Sequence, residues 1–459
     1  MFRNRQAWIA WLLMPVFFSC ATYHERSQPY YDGLRTYNYR QAAQSLNRNK
    51  LIQARRNRLL YYMEKGYVSH LLQQYDTSNY YFNLADQFKE AGGNGAWDIA
   101  VGTLTNPMMQ TYRGEDFEHF LVHYYKALNY WYLGKRDDAL VEARRITLSN
   151  NEQRDKFNDK SGRYSQDAFA LVMQGLLYES DNDINNAFIS YRNAVDVFLG
   201  QPAQTYYGVP LPQQLKTDLL RTASLMGFTE EQALYEQKFN TTYHAGAASP
   251  GGEMVLFLEY GMAPYKKQDD YFFTLVKNEA GFFFTNNSKL ITVPVNFSVG
   301  IDASSLSVSD FNVFRLAMPS YVVRPLPAAG FEVKVNGALV PSAIDAVEDI
   351  NYVATHTLSE RSLKEISLAL SRMLVKKIAE KQLKDKNQAA GDILQAVNLL
   401  VEKADTRNWQ SLPAKIYYVR VPLQTGENKV AVSAGGTAID TLTVQGTGGL
   451  QFYNYRKMQ

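Results

Sequence analysis

Between residues 35 and 240, one arrangement of small and aromatic residues recurs along the chain. Its clearest copy, over residues 169–197, places Gly175, Tyr191 and Ala194 where two antiparallel helices would cross closely. Small residues let the two helix axes approach each other, and aromatic rings fill the gaps beside them. One helix pair of this length cannot bury its apolar face alone, so the copies must stack into a helical solenoid.

Other copies of the pattern are present, although the distance between them is irregular. The preceding copy contains Ala127, Tyr130 and Gly134, and a fainter one contains Gly66 and Phe82. These spacings are typical of tetratricopeptide repeats (TPRs). The sequence therefore predicts a TPR-like α-solenoid between the tether and the linker described below.

The first helix of each pair in such a solenoid lines a concave groove. The positions predicted to face this groove are mostly apolar, and the Lys, Asn and Arg set that binds a peptide carboxylate in some repeats is missing. We therefore expect the groove to hold either an apolar or aromatic segment of a partner, or this protein's own C-terminal domain or insertions. The candidate groove residues are Met63, Tyr67, His70, Tyr124, Leu128, Trp131, Phe169, Val172, Leu176 and Glu179.

The pattern changes at residues 244–252, where Gly, Ala, Ser and Pro predict a linker. Beyond it, short runs of β-branched and aromatic residues alternate with turn signals, which predicts antiparallel strands. The expected strands are 253–260, 271–276, 281–285, 290–297, 321–325, 331–335, 414–422, 429–433, 438–444 and 449–455.

A helical insert is predicted inside this second region, from about residue 344 to residue 405. Its apolar residues fall on one helical face, with Lys and Glu opposite. The predicted fold class is therefore α + β multidomain, with the solenoid at 35–243 and a β-rich, sandwich-like domain at 253–459. The residues of the apolar face are Leu363, Ile366, Leu370, Met373 and Ile378.

Residues 1–19 have the three parts of a bacterial signal peptide: a basic start, a short apolar stretch and Ser19 before Cys20. The apolar stretch is too short to span a bilayer stably. Because Cys20 is the only cysteine and residues 16–20 look like a lipobox, we predict lipidation of Cys20, which anchors the protein to a membrane. Residues 20–34 are then a tether. An ordinary secretory signal, or an uncleaved anchor, is the alternative.

Net charge excludes one class of partner. Removal of residues 1–19 deletes Arg3 and Arg5 and no acid, so the formal charge falls from +3 to +1. A nucleic-acid surface needs clustered Lys and Arg, so we expect no nucleic-acid partner. Ala21 follows Cys20 in place of the Asp that retains some lipoproteins at the inner membrane, which favours the outer membrane. We expect the protein at its periplasmic face, with exposure at the cell surface as the alternative.

Five phrases of the sequence are distinctive, at residues 115–118, 123–130, 141–145, 259–264 and 404–413. Together they resemble an uncharacterised family of bacterial TPR-containing lipoproteins, and the resemblance spans most of the chain after residue 20. It implies a helical repeat domain, a lipid anchor and a location near peptidoglycan synthesis. It implies no mechanism.

Two groups of residues are candidates for chemistry. His119 and His123 lie one helical turn apart and could face one metal ion together with Glu115 or Glu118, although packing inside a repeat explains His123 equally simply. We favour packing and predict no metal and no cofactor.

Asp405, Arg407 and Trp409 form the second group, between a helix and a strand. They could bind a ligand or a glycan edge, but a structural corner held by a charge-assisted hydrogen bond and a stacked ring is the favoured interpretation. Catalytic signatures such as a nucleophile elbow, a Walker loop or a dinucleotide fingerprint are missing from the sequence. We therefore predict a non-catalytic scaffold for envelope proteins, with an envelope enzyme or glycan-binding protein as the alternative.

Overall fold

The computed structural model describes residues 23–91, 107–157, 164–246, 248–295, 313–388 and 403–458. Helices predominate before residue 240 and sheets after residue 253, so the mixed α and β class is confirmed. The predicted signal peptide and Cys20 lie outside the described residues. Among the helices of the described ranges, none combines the length and the apolar character needed to cross a membrane.

Ten helices of the described chain precede residue 240, and consecutive helices pack as pairs. They are α1 Tyr23–Arg35, α2 Tyr39–Arg48, α3 Arg58–Leu71, α4 Tyr75–Glu90, α5 Asp116–Tyr132, α6 Arg136–Phe157, α7 Ala168–Ser180, α8 Ile184–Leu199, α9 Gln213–Met226 and α10 Thr229–Phe239.

Small residues stand where the paired helices cross, as the sequence predicted. A Cβ atom added to Gly175 on α7 would lie 2.5 Å from the ring of Tyr191 on α8. The same relation holds between Gly66 on α3 and Phe82 on α4, at 2.7 Å. Real Cβ atoms do not approach rings so closely, so these glycines set the distance between the helices.

The predicted tether over residues 20–34 is wrong where the structure describes it, because α1 is a helix packed into the core. Tyr23, Tyr30 and Leu34 are at most 1% exposed. The hydroxyl of Tyr30 donates to the carboxylate of Glu64 at 2.9 Å. Tyr31 donates to the same carboxylate at 3.1 Å, so these two buried hydroxyls have a partner and a segment rich in polar residues still packs.

Strands form most of the chain after residue 253. A small hairpin, β1 Thr205–Tyr206 and β2 Val209–Pro210, lies earlier in the chain. The later strands are β3 Glu253–Tyr260, β4 Tyr265–Asn278, β5 Gly281–Asn286, β6 Ile291–Pro294, β7 Phe314–Val322, β8 Phe331–Val335, β9 Ala338–Leu339, β10 Asp345–Asp349, β11 Lys415–Pro422, β12 Gly426–Ala434, β13 Thr437–Gly446 and β14 Leu450–Lys457. A first sheet has the order β10-β11-β3-β14, a second β13-β12-β8-β9 and a third β6-β5-β4-β7.

The first sheet is buried on both faces. On one face, Val255 and Phe257 of β3 belong to the same core cluster as the helices. On the other face, Met254 and Leu256 pack with residues of the second sheet, so these two sheets form a sandwich. A strand that is covered on both faces has a nearly continuous run of apolar residues in its sequence. For this reason both ends of the strand at residues 253–260 were predicted correctly.

The third sheet carries the long helix α11 Ile350–Lys386. Ile366 and Leu370 are buried against it as predicted, but Leu363 is 62% exposed because the sheet covers the helix only from Ile366 onward. The predicted insert also begins differently, since strand β10 precedes the helix and Asp349 caps it by accepting the Tyr352 N–H at 3.0 Å. Residues 389–402 of the insert lie outside the described residues.

The prediction of a strand at residues 321–325 is wrong in position and length, because strand β7 lies mostly before these residues and is longer. It begins at Phe314 and includes Pro319, which pairs with Gln268. β7 is an edge strand of its sheet, and an edge is where proline is tolerated in a strand.

Candidate functional site

The predicted groove is covered by the first sheet of the β-rich region. Tyr124 on α5 donates its hydroxyl to Glu259 of β3 at 3.0 Å, and its ring meets Phe257 edge-on at 5.4 Å. Trp131 meets Phe452 of β14 at 4.7 Å.

The other groove candidates lie under the same sheet or beside the segment that leads into it. His70 bonds Asn454 of β14 at 3.0 Å, Phe169 meets Phe257 at 6.0 Å, and Tyr67 meets Trp409 at 6.2 Å. The fully buried candidates are Met63, Tyr67, Leu128, Val172 and Leu176. As an open partner surface the prediction is wrong, and the alternative that the protein's own C-terminal domain fills the groove is what the structure shows.

Glu179, the last groove candidate, belongs to a buried ion cluster. The guanidinium of Arg420 on β11 lies 2.5 Å from the Glu179 carboxylate and 2.6 Å from the Asp218 carboxylate on α9. Arg221 adds a contact to Glu179 at 2.8 Å. Burial acts to raise the pKa of Glu179, but Arg420 and Arg221 hold it at about 2. Glu179 therefore stays ionised, and its pairing with Arg420 fastens the first sheet to the helices.

Residues 404–414 form a buried crossing segment between the helices and the sheets. Arg407, 1% exposed, pairs with Asp405 at 2.6 Å and donates to Asn57 and to the Gln110 carbonyl, each at 2.9 Å. Its guanidinium also lies 5.3 Å from the ring centre of Tyr112. The structural corner favoured from the sequence is confirmed for this arginine.

Trp409, on the same crossing segment, is 0% exposed. Its backbone N–H donates to Glu118 at 2.7 Å, and its indole N–H donates to Ser411 at 2.9 Å. Ser411 in turn donates to Glu64. Because Arg407 and Trp409 are enclosed, they do not form the ligand surface that was the weaker prediction for Asp405, Arg407 and Trp409.

The phrases that carry the family resemblance meet in this region. Ala263 donates its N–H to the Leu412 carbonyl at 2.8 Å, and Asn408 donates to the Pro264 carbonyl at 2.8 Å. Glu118 joins the first phrase to the last through Trp409. Pieces separated by more than a hundred residues thus form one junction.

A cavity of about 590 Å³ opens beside the junction. Its floor includes Leu316 and Leu368, and its wall carries Glu115, Lys266 and Arg361. Arg361 donates twice to Glu115, at 2.6 and 3.0 Å, and Lys266 donates to the same carboxylate. Burial opposes ionisation of Glu115, but these two cations hold its pKa well below the usual range.

Two other carboxyl groups at the junction, those of Glu118 and Glu64, have raised pKa values. Burial raises the pKa of Glu118 to about 7, helped by the charge of Glu115, and burial raises the pKa of Glu64 to about 7. Both accept hydrogen bonds from tyrosine hydroxyls, Glu118 from Tyr112 at 2.7 Å and Glu64 from Tyr30. Glu118 and Glu64 therefore differ from Glu115, whose pKa is lowered. Sequence reasoning missed this role, although acids on apolar helix faces were a readable signal.

The two histidines predicted as metal candidates do not converge. His119 bonds the Arg113 carbonyl at 3.0 Å, whereas His123 bonds Glu142 at 2.8 Å. Glu115 and Glu118 are engaged at the junction.

A different trio, Asp86, His123 and Glu142, has ligand atoms within 4.8 Å of one another. The ammonium of Lys126 contacts both of its carboxylates, at 2.6 and 2.9 Å. Lys126 thus supplies the positive charge between the two carboxylates, and the trio with Lys126 is an ion-pair network between helices.

No protein-family model matches the sequence, and no curated protein matches it. Among solved structures, the crystal structure of BtubC (BKLC) from P. vanneervenii aligns with a TM-score of 0.33 and 12% sequence identity, over 49% of this chain and 84% of that chain. An alignment at this score carries no argument about fold or function.

Proposed function

We propose that this protein is a lipid-anchored, non-catalytic scaffold of the bacterial cell envelope, at the periplasmic face of the outer membrane. Its helix pairs are a TPR-like solenoid that clamps the protein's own β-rich region. Envelope proteins then bind the outer surfaces of this rigid body. One observation carries the proposal: the groove in which a TPR solenoid would take a partner segment is filled by β3, β14 and the crossing segment.

The chemistry of the interface supports a permanent clamp. Charged groups at its centre are bonded to one another, as in Arg407 with Asp405 and Arg420 with Glu179. Breaking such buried pairs is costly, since each leaves a charge without a partner in a low-dielectric interior. A groove that opened to exchange partners would have to expose all of them.

Lipid attachment is tested by growing cells with an alkyne-tagged fatty acid. Wild-type protein should take up the label and fractionate with membranes, whereas Cys20→Ser should do neither. Label-free wild-type protein in the soluble fraction would overturn the anchor.

Scaffolding is tested with a photo-crosslinking amino acid placed at single positions in cells. Tyr80, Leu148 and Leu225 are 59%, 61% and 63% exposed on three different helices, whereas Leu128 is 0% exposed in the groove. Partner adducts should arise from one or more of the exposed positions and not from Leu128. Adducts from Leu128 alone would show that the groove opens and that the clamp is wrong.

A further inference from the structure

The loop that follows α8 has an unusual backbone. Ala203, Gln204 and Tyr207 have φ angles of 52°, 51° and 43°, in the left-handed region that favours glycine. Tyr207 and Gly208 are the two turn residues of the β1–β2 hairpin, a turn in which Asn-Gly is the usual pair. A non-glycine residue with such a φ angle is strained and persists only where the surroundings hold it.

Packing against α11 holds this loop in place. The ring of Tyr207 lies 5.2 Å from His356, and its hydroxyl donates to Glu360 at 3.3 Å. Gly208 lies so close to Tyr352 that an added Cβ would come within 2.8 Å of that ring. The loop is therefore seated on two turns of the long helix, far along the chain from its own position.

A cavity of about 420 Å³ lies between the loop and the helix. On the helix side, Tyr352 and His356 are stacked 5.5 Å apart at an interplanar angle of 15°. Tyr352 is 45% exposed, so this stacked pair leaves part of its aromatic surface open to solvent, and we call the pair the platform. On the loop side, the lining includes Gln201 and Thr205, which carry an amide and a hydroxyl.

The residues that line this cavity favour one class of ligand. Among the described residues that form it there is no lysine, arginine, aspartate or glutamate, and its one imidazole, His356, already faces the Glu360 carboxylate at 3.2 Å, so phosphates and acidic ligands would meet no free counter-charge. Aromatic surface with a few neutral hydrogen-bonding groups suits a ligand that is apolar on its face and polar at its rim. A sugar ring has both properties, because its C–H groups form a face and its hydroxyls form the edge.

We propose that this aromatic cavity binds a neutral saccharide, stacked on Tyr352 and His356 and hydrogen-bonded by Gln201 and Thr205. A proline-rich peptide is the other ligand that aromatic surfaces take. Seven residues of polyproline helix extend over about 20 Å, however, whereas the platform spans one helical turn of about 5 Å. The cavity therefore fits one or two sugar rings better than an extended chain.

The test uses the purified full chain and four probes: cellotetraose, chitotetraose, maltotetraose and a ten-residue polyproline peptide. Saturation-transfer NMR detects binding, and calorimetry measures the affinity. At least one tetrasaccharide should bind. Tyr352→Ala should weaken that binding about tenfold or more, and Tyr352→Phe, which keeps the ring, should change it less than about threefold.

Tyr80→Ala is the matched control, because Tyr80 is a comparably exposed tyrosine on α4. It should leave the affinity unchanged. Gln201→Ala, which leaves both platform rings in place, should weaken binding as well. Failure of all three saccharides to bind would overturn the proposal, as would saccharide binding that Tyr352→Ala does not weaken. Binding of polyproline alone, lost in Tyr352→Ala, would assign the cavity to a peptide instead.

Discussion

The protein should lose stability as the pH rises from about 5 to about 8, and replacing Glu118 with Gln should remove the part of that loss that comes from this carboxyl. Glu118 is 0% exposed and accepts hydrogen bonds from Tyr112, the Glu115 N–H and the Trp409 N–H. Burial, with the charge of Glu115, raises its pKa from 4.5 to about 7. A glutamine has nearly the same shape and keeps one oxygen acceptor, but it cannot ionise.

The direction in which stability changes with pH follows from the number of protons that the folded and unfolded states bind. Because the folded pKa lies above the unfolded one, the folded state binds more protons between pH 4.5 and about 7, and stability falls as the pH rises through that window. At about 1.4 kcal/mol for each pKa unit, the loss through this one group amounts to about 3 kcal/mol above pH 7. Below pH 4.5 the carboxyl is protonated in both states, so that loss is absent.

The assay is urea unfolding of wild type and Glu118→Gln at a series of pH values, followed by circular dichroism. The stability of the variant minus that of wild type should increase by about 3 kcal/mol between the acid and the alkaline end. Glu427→Gln, at an exposed carboxyl on β12, should change stability by less than about 0.5 kcal/mol. A Glu118→Gln difference that stays constant with pH would refute the reasoning, since it would mean that the three donors offset burial and leave the folded carboxyl with its ordinary pKa.

Three further perturbations test the packing of the clamp. Arg420→Met should destabilise the protein by about 3–5 kcal/mol in urea unfolding, because Asp218 and Glu179 lose their main counter-ion inside the core; a change below about 1 kcal/mol would contradict this. Trp409→Ala should cost about 3–5 kcal/mol and speed proteolysis within residues 244–252, whereas Trp409→Phe should retain most of the protection. Gly175→Ala should lower stability by about 1–3 kcal/mol, because its Cβ would meet the Tyr191 ring, while Gly246→Ala, with no atom within 4 Å, should be neutral in the same melting experiment.

Local sequence patterns predicted many of the helices and strands. Strands at Glu253–Tyr260 and Phe331–Val335 were predicted to the residue, and the crossing of α7 and α8 at Gly175 was predicted from small and aromatic residues alone. These features depend on neighbours within one turn or one hairpin, so the sequence displays them directly. Helix α1 escaped prediction because tyrosines look polar until their hydroxyls have partners.

What the sequence by itself determined is thus the order and type of most elements, and the apolar character of the groove. Only the tertiary structure decided that the groove is filled from within, that His119 and His123 point to different partners, and that Glu115 meets Lys266 and Arg361. Contacts of this kind join residues very far apart in the chain, such as His70 and Asn454, which are 384 positions apart. Periodicity reports which face of an element is buried, but it does not say which distant segment buries it, because that choice depends on the shape and charge of the whole assembled core.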